Sequence, residues 1–296
     1  MLPNFLVIGA AKSGTTSLYH YLKQHPEIYM SPVKEPYFFS FINKKPKFKG
    51  PLDENVNKII ITKLEDYERL FKGVTTEKAI GECSNSYLYL PESAYNIKKI
   101  IPDCKIIIIL RNPVERAYSH YMQSVMIRKE NLPFDEAIKK EDERRNLGWV
   151  WFFQYTGQSM YYKQVKQYLD LFGEERVNVY LFDELKKDPI GLMKKIYNFL
   201  EVDNNFVPKI SIENKSGKPK SKILMNLLIT DNQYKRFIKI IFPKNVRGNI
   251  YKYLFNKNIS SYSIDEEVKK ELISRFYNDI ISLEKLIKKD LKHWLY

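Results

Sequence analysis

Short apolar runs alternate along this chain with longer stretches in which apolar side chains recur every three or four residues. Runs of the first kind predict buried strands, at residues 5–8, 27–30, 79–82, 106–110 and 177–182. Stretches of the second kind predict helices, at residues 18–23, 63–71, 92–100, 161–172 and 265–291, together with one long helix after residue 182 that runs to Leu200. The alternation predicts an α/β fold, with a central parallel β-sheet flanked by helices on both faces.

Length and composition suit one globular domain. The chain has 296 residues, of which 44% are hydrophobic, so it can bury a substantial core. We expect a single domain over residues 1–296, with a basic, helical C-terminal part over about residues 222–296.

Cysteine content and apolar run lengths favour a cytoplasmic location. The two cysteines, Cys83 and Cys104, are too few for a disulfide framework and are predicted to be buried as small hydrophobic side chains. The apolar run near the start is short and lacks the basic flank of a signal peptide. No uninterrupted apolar stretch is long enough to cross a bilayer.

The formal net charge of +14 indicates an anionic partner. A nucleotide, a nucleic acid, an acidic lipid and an acidic polysaccharide all satisfy it, and charge alone does not choose among them. The excess is greatest over residues 215–257, which hold eleven Lys or Arg and one acid, Asp231. That stretch is either a solvated basic surface or an electropositive wall over a polyanion, and peripheral contact with an acidic membrane stays open.

The first predicted strand leads into a loop with the composition of an anion cradle. A turn from Gly9 to Gly14 joins the strand to a helix, whose unpaired N–H groups and dipole favour an anion. Lys12 adds a full charge, and three hydroxyl side chains add donors. These are Thr15, Thr16 and Ser17. The predicted ligand is phosphate-like; the alternative is an ordinary strand–turn–helix with a glycine-rich turn.

The nearest general motif is the P-loop, Gly-x4-Gly-Lys-Ser/Thr. The glycine spacing is present, but Thr15 stands where the lysine belongs, and Lys12 precedes the second glycine. A P-loop triphosphatase also needs an acidic residue after a later strand to hold magnesium. Here the strand at 106–110 is followed by Arg111.

A carboxylate follows the second predicted strand. Glu35 precedes Pro36 and three aromatic residues, and partial burial beside the rings would suit it to general-base catalysis. The alternative is a loop glutamate in solvent. Residues 83–86 form a polar turn at the carboxyl end of another strand, which is where open α/β sheets bind ligands.

A basic and hydroxyl pattern follows the strand at 106–110. Pro113 can occupy the first turn of a helix that carries Ser119 and His120. Arg111 at the strand end and Ser119 two turns along could hold one anion from two sides. His120 is predicted as a helix-surface residue, with catalysis as the alternative.

Taken together, these stretches resemble the sulfotransferases that use 3′-phosphoadenosine 5′-phosphosulfate (PAPS). Residues 11–17 are similar to their 5′-phosphosulfate loop, whose usual form is Lys-x-Gly-Thr-Thr/Ser. Arg111 and Ser119 match their 3′-phosphate pattern, an arginine, seven residues and a serine after an apolar strand.

Three further segments carry the same resemblance. Residues 34–39, Lys-Glu-Pro-Tyr-Phe-Phe, resemble the Lys-Glu-Pro-His-Phe-Phe segment of heparan-sulfate-type and related bacterial members, in which the glutamate is the catalytic base. Residues 214–221 look like the loop that covers the nucleotide, and residues 290–294 like a common bacterial C-terminus.

The resemblance implies the P-loop nucleotide-kinase-like sulfotransferase fold and transfer of a sulfuryl group from PAPS to a hydroxyl or amine, leaving 3′,5′-bisphosphoadenosine (PAP). It implies a carbohydrate or small hydroxylated acceptor, no nucleic-acid partner and no metal. The implied catalytic residues are Glu35, as base, and Lys12, which neutralises charge on the leaving phosphate. The implied PAPS-binding residues are Lys12, Ser13, Gly14, Thr15, Thr16, Ser17, Arg111, Ser119, Lys215, Ser216, Gly217 and Lys218.

One position departs from the heparan-sulfate type. Those enzymes often place a lysine after the glutamate equivalent to Glu82, near the acceptor, and here Cys83 stands there. Two other classes stay open. A P-loop nucleotide kinase is disfavoured by Thr15 and Arg111, and a non-catalytic binder of acidic polymer or membrane would explain the charge but not the placing of the motifs.

Overall fold

The computed structural model describes residues 1–51, 53–210, 218–221, 224, 254, 257–260 and 264–296. Its central strands are β1 (Phe5–Gly9), β2 (Ile28–Met30), β3 (Ala79–Cys83), β4 (Lys105–Leu110) and β5 (Val177–Leu181). They form one parallel sheet in the order β2-β3-β1-β4-β5. The predicted α/β fold with a central parallel sheet is confirmed.

Helices cover both faces of this sheet. In chain order they are α1 (Thr15–Leu22), α2 (Asp53–Ile59), α3 (Leu64–Glu68), α4 (Ser86–Tyr89), α5 (Glu92–Ile100), α6 (Pro113–Met126), α7 (Phe134–Lys139), α8 (Glu141–Asn146), α9 (Tyr161–Phe172), α10 (Phe182–Lys187), α11 (Pro189–Leu200) and α12 (Glu266–Ile287). Short 3-10 helices lie at Phe38–Ser40, Arg69–Phe71, Trp151–Phe153, Gly157–Ser159 and Lys292–Leu295. A short antiparallel pair joins β6 (Lys218–Pro219) to β7 (Ile259–Ser260).

Strand β1 shows why the sheet is covered twice. Side chains of a strand point alternately to opposite faces, so Phe5 and Val7 pack into one apolar cluster and Leu6 and Ile8 into another. The first cluster includes residues of α1 and α11, and the second includes residues of α5, α9 and α12. Because both faces are buried, the strand reads as a continuous apolar run.

The single long helix predicted after residue 182 is wrong. The chain forms α10 and α11 instead, and the break falls at Asp188. The Asp188 carboxylate accepts a hydrogen bond from the Gly191 N–H at 2.8 Å, and Pro189 occupies the first turn of α11. An acidic cap followed by proline starts a new helix.

The predicted fate of the cysteines is confirmed, since Cys83 and Cys104 are both buried and unpaired with each other. Within the described ranges, no helix combines the length and apolarity needed to span a bilayer. Most of the predicted basic C-terminal part, up to residue 263, lies outside the described residues; its described helix is α12.

Candidate active site

The loop between β1 and α1, which we call the anion loop (residues 10–17), depends on Gly14. That residue caps α1 with φ 92° and ψ 9°, a left-handed conformation that favours glycine. A Cβ atom there would lie 2.7 Å from the Leu185 side chain and 3.0 Å from the Phe182 ring, so α10 packs directly against the loop. The first N–H groups of α1 have no acceptors within the helix and are available to an anion.

The hydroxyl groups of the anion loop also fit a phosphate. Ser13 is completely buried, and its Oγ has no hydrogen-bond partner among the residues that the structure describes. A buried hydroxyl left unpartnered costs free energy, and a phosphate oxygen would satisfy it. Thr15 is buried, whereas Thr16 and Ser17 are partly exposed. The residues present therefore suit the phosphate-like ligand that the sequence predicts.

Lys12 supplies the charge of this loop and sits among other cations. Its backbone is left-handed, with φ 67°. Burial, together with the positive charges of Arg111, Arg116 and Lys34, lowers the pKa of the Lys12 ammonium to about 8. An anion bound here would reverse that effect, because an opposite charge favours the protonated form of a lysine.

Arg111 links the anion loop to the start of α6. It follows β4 directly, and its Nη1 donates to the Lys12 carbonyl at 3.4 Å. Its Nε and Nη2 donate to one oxygen of Glu115, at 3.0 and 2.8 Å. The guanidinium carbon lies 5.1 Å from the centroid of the Phe182 ring. The predicted 3′-phosphate arginine is therefore held beside the predicted 5′-phosphate loop.

The N-terminus of α6 and Tyr161, the first residue of α9, support Arg111. Asn112 caps α6 by accepting from the N–H groups of Val114 and Glu115. The Tyr161 hydroxyl donates to the Arg111 carbonyl at 2.9 Å. Ser119, the second half of the predicted 3′-phosphate pattern, lies on α6 and is completely buried.

Asp279 connects α12 to the same site. Its carboxylate accepts from the N–H groups of Tyr161 and Tyr162 at 2.7 and 3.2 Å, at the N-terminus of α9, where negative charge is favoured. Trp294 is completely buried and its ring centroid lies 6.2 Å from that of Tyr161. The C-terminal helix thereby helps to set the position of Arg111.

The prediction that His120 lies on the helix surface is wrong. His120 is 2% exposed because the chain after α8 packs over that side of α6, with the Phe152 and Tyr155 ring centroids 5.9 and 5.6 Å from the imidazole centroid. The spacing of residues along α6 does not reveal that a later segment of the chain buries this side of the helix.

The partner of His120 settles its protonation. Arg116, completely buried, has its Nη1 3.3 Å from the His120 Nδ1. A guanidinium has no acceptor, so Nδ1 accepts and a neutral His120 carries its proton on Nε2. Burial, with the charges of Arg116 and Lys12, holds the pKa of His120 well below its ordinary value. The ring is then neutral and its Nδ1 lone pair is occupied, which does not suit a general base.

Glu35 is tied to the carboxyl end of β3 rather than solvated. Its N–H donates to the Cys83 carbonyl at 2.9 Å, and its Oε2 accepts from the Asn85 N–H at 2.9 Å. Its Oε1 pairs with the Lys34 ammonium at 2.6 Å, and the Glu35 side chain is 15% exposed. The alternative of a loop glutamate in solvent is therefore wrong.

Sequence reasoning gave no role to Glu82, which lies beneath this segment. Glu82 is completely buried in β3, and its oxygens accept from the Ser84 and Tyr67 hydroxyls at 2.5 and 3.2 Å. The Ser84 Oγ in turn accepts from the Tyr37 N–H at 3.2 Å. Burial raises the pKa of Glu82 to about 8. A glutamate inside an otherwise apolar strand was the signal for such a group.

Cys83 joins the two halves of the site. It is completely buried, burial raises the pKa of its thiol to about 12, and its Sγ lies 3.9 Å from the Thr15 carbonyl of the anion loop. The segment that holds Glu35 and the anion loop therefore meet at the carboxyl ends of β3 and β1.

The predicted nucleotide-covering loop is only partly described. Lys215, Ser216 and Gly217 lie outside the described residues. Lys218 lies in β6, paired with Ser260, and β6 lies against α6.

Comparison with known proteins bears on this arrangement. Residues 2–240 match the family model described as a sulfotransferase domain. Over 133 residues the chain is 35% identical to the membrane-associated sulfotransferase kil1 of Dictyostelium discoideum, covering 44% of this chain and 25% of that protein. Over 200 residues it is 26% identical to heparan sulfate glucosamine 3-O-sulfotransferase 3B1 of Mus musculus, covering 67% and 46%. The chain spans less than half the length of these curated relatives.

Solved sulfotransferase structures are also similar to this chain. A sulfotransferase from Alicyclobacillus acidocaldarius superimposes with a TM-score of 0.79 and 36% identity, with each chain covered in full. The sulfotransferase domain of the Synechococcus PCC 7002 olefin synthase, at 16% identity and a TM-score of 0.50, covers 98% of this chain and 96% of its own and shares the fold. The chain belongs to the sulfotransferase domain family, whose members are sulfuryl-transfer enzymes.

Proposed function

We propose that this protein is a PAPS-dependent sulfotransferase that transfers the sulfuryl group to a hydroxyl or amine of an acceptor, with Glu35 as general base. One observation carries the proposal. The cation-rich anion loop and the Glu35 carboxylate meet at the carboxyl ends of β1 and β3, joined through Lys34 and Cys83. A cradle for an anionic donor and a base for the acceptor then share one cleft, as in-line transfer requires.

The donor would be held at both ends. The anion loop, through Ser13, the α1 N-terminus and Lys12, would bind the 5′-phosphosulfate. Arg111 and Ser119 would bind the 3′-phosphate, and Lys218 with the preceding residues 215–217 would cover the nucleotide. The 3.4 Å contact from Arg111 to the Lys12 carbonyl supports one continuous site for both ends.

Lys12 would act on the charge that develops during transfer. PAPS supplies a sulfuryl group on a phosphate leaving group; the acceptor oxygen or nitrogen forms the new bond to sulfur while the bond from sulfur to the bridging oxygen breaks. Its electrons stay on the 5′-phosphate, next to Lys12. A cation fixed there stabilises the transition state more than the ground state.

Glu35 would take the proton that the acceptor loses. Its bonds to Asn85 and Lys34 fix the direction of the carboxylate, and geometry is the first requirement of a general base. The left-handed backbone of Glu35, φ 63°, and of Tyr37, φ 59°, turns the segment so that it stays bonded to the end of β3.

The acceptor is proposed by analogy with relatives. One matched relative is named as a heparan sulfate glucosamine 3-O-sulfotransferase, which favours a carbohydrate or another hydroxylated molecule for this chain. No metal is needed in the proposed reaction, because a sulfuryl group carries less charge than a terminal phosphoryl group and Lys12 and Arg111 supply the positive charge.

Calorimetry with PAP tests the proposal. We expect PAP to bind in the micromolar range without magnesium, and ATP with magnesium to be neither bound comparably nor turned over. Incubation with PAPS and a panel of hydroxylated and amino acceptors should then release PAP and give a product heavier by one sulfuryl group. Absence of PAP binding by the folded protein would contradict the proposal, and binding only to anionic vesicles or polymers would favour a non-catalytic binder.

A further inference from the structure

The ion pair between Arg111 and Glu115 occupies the arginine that the proposed function assigns to the 3′-phosphate. Two donors of Arg111 converge on a single oxygen of Glu115, at 3.0 and 2.8 Å. The strongest arginine–carboxylate pairs use two parallel bonds to two oxygens, so this pair lacks that geometry. The Glu115 side chain is also 49% exposed, and half-exposed pairs of this kind contribute little stability.

The rest of the Arg111 environment does not depend on Glu115. Its third contact goes to the Lys12 carbonyl at 3.4 Å, and its flat face lies over Phe182, with 5.1 Å from Cζ to the ring centroid. Phe182 also packs against Gly14 of the anion loop. The guanidinium would therefore keep its place and orientation if the Glu115 carboxylate moved away.

Glu115 itself is not needed to begin α6. The helix is capped by the Asn112 side chain, which accepts from the Val114 and Glu115 N–H groups at 3.0 and 3.3 Å. Those bonds involve the backbone of residue 115, so replacing its side chain leaves them in place.

We propose that Glu115 is a stand-in for the 3′-phosphate: its carboxylate orients Arg111 in the nucleotide-free protein and is displaced when the nucleotide binds. This inference rests on the proposed function. Because a carboxylate bound to Arg111 competes with the incoming phosphate, Glu115 weakens nucleotide affinity and speeds release of the PAP product. It adds a determinant of donor affinity at a position between Arg111 and Ser119, the two residues of the predicted 3′-phosphate pattern.

The test compares PAP with adenosine 5′-monophosphate (AMP), which lacks the 3′-phosphate. In Glu115→Gln we expect PAP affinity, measured by calorimetry, to rise about two- to fivefold, since the lost competitor is a half-exposed ion pair. PAP dissociation, measured by stopped flow, should slow to match. AMP affinity should stay unchanged, because the hydrogen bonds of the Glu115 side chain to described residues go to Arg111, and AMP has no 3′-phosphate for that arginine to bind. Glu115→Ala should give the same sign.

A matched control separates this effect from a general loss of negative charge. Glu143 is a similarly exposed helical carboxylate, paired with Lys140 at 2.6 Å, and Glu143→Gln should leave both affinities unchanged. PAP affinity that is unchanged or weaker in both Glu115 variants would overturn the inference, as would an equal gain for PAP and AMP. If the unmodified protein binds PAP no better than AMP, the proposed assignment of Arg111 to the 3′-phosphate fails, and the inference fails with it. Melting curves of each variant check that it folds.

Discussion

Lys12 and Lys34 each lie on a loop that follows a strand of the parallel sheet, close enough to affect each other's charge, yet the groups around them balance their charges in opposite ways. Lys12 has Arg111, Arg116 and Lys34 around it, and burial with those cations lowers its pKa to about 8. Around Lys34 lie Glu35 and Glu82. Burial alone would lower the pKa of Lys34, but Cys83 and these two carboxyls together raise it above its ordinary value.

The difference supports the proposed division of this edge of the sheet into a donor side and an acceptor side. The Lys12 side carries more positive charge than its own residues compensate, which is the condition of a site that awaits an anion. The Lys34 side is internally neutralised, and its lysine serves to hold the Glu35 carboxylate at 2.6 Å. Under the proposed function, the Lys12 side would bind the donor and the Glu35 side would take the proton of the acceptor.

The largest loss of activity should follow from replacing Glu35, the proposed base. Glu35→Gln keeps the size of the side chain and can still accept from the Asn85 N–H, but it cannot take a proton. We expect kcat to fall by about 10²–10⁴ while PAP affinity stays within about twofold, as initial-rate kinetics and calorimetry would show.

His120→Ala is the companion to that variant. Since His120 is buried and neutral, with Nδ1 bonded to Arg116, its removal should affect stability more than the chemical step. The opposite result would be an inactive His120→Ala variant that melts like the unmodified protein, together with a Glu35→Gln variant within a few-fold of full activity. That result would place the base on α6 and not at Glu35.

The second largest loss of activity should follow from removing the charge of Lys12. Lys12→Ala is expected to lower kcat by about 10²–10³ and PAPS affinity by much less, because the charge on the leaving phosphate grows toward the transition state. Lys23→Ala, at an exposed lysine directly after α1, the helix that follows the anion loop, should change neither. A rise in KM with unchanged kcat would show that Lys12 only binds the donor.

Arg111→Ala should discriminate between ligands rather than abolish binding. We expect PAP to lose about 1.5–3 kcal/mol, the range for a hydrogen-bonded charged group, while adenosine 5′-phosphosulfate, which has no 3′-phosphate, loses little. Arg69→Ala, which removes an exposed arginine paired with Asp66, is the control. Equal losses for both ligands would remove Arg111 from the 3′-phosphate site.

The strands, and the candidate binding residues that follow them, could be predicted from the sequence because each depends on a local sequence pattern. Each of these features, such as a buried run, the glycine-bounded loop or the arginine directly after β4, is contained in a short stretch of sequence. A parallel sheet then brings the carboxyl ends of its strands to one edge. The break between α10 and α11 was also readable from Asp188-Pro189, but the apolar periodicity on either side of it favoured a single helix.

Burial at the site could not be predicted, because it depends on segments distant in sequence. His120 is covered by rings at residues 152 and 155, and Arg116 donates to Ser159 at 2.6 Å. Likewise Glu82 becomes a buried acid only when the Ser84 and Tyr67 side chains enclose it. Pairing of Glu35 with the end of β3 requires the left-handed turn at residue 35, which no residue type there announced.

The smallest effect, and the one that tests the two lysines directly, is the proton taken up when PAP binds. Near pH 8 about half of the Lys12 side chains are neutral in the free protein, because the pKa is about 8. A bound phosphate raises that pKa, so binding should draw in about half a proton per site at pH 8 and progressively less as the pH falls below 7. Lys34, whose pKa is raised, is protonated in both states and contributes nothing.

Calorimetry in buffers of different ionisation enthalpy measures the uptake, at pH 8 or above, where the phosphates of PAP are fully ionised. Lys12→Ala should abolish it, whereas Glu82→Gln should retain it, which distinguishes Lys12 from the buried acid of similar pKa. Uptake that survives in Lys12→Ala but disappears in Glu82→Gln would move the titrating group to β3 and remove the asymmetry between the two lysines.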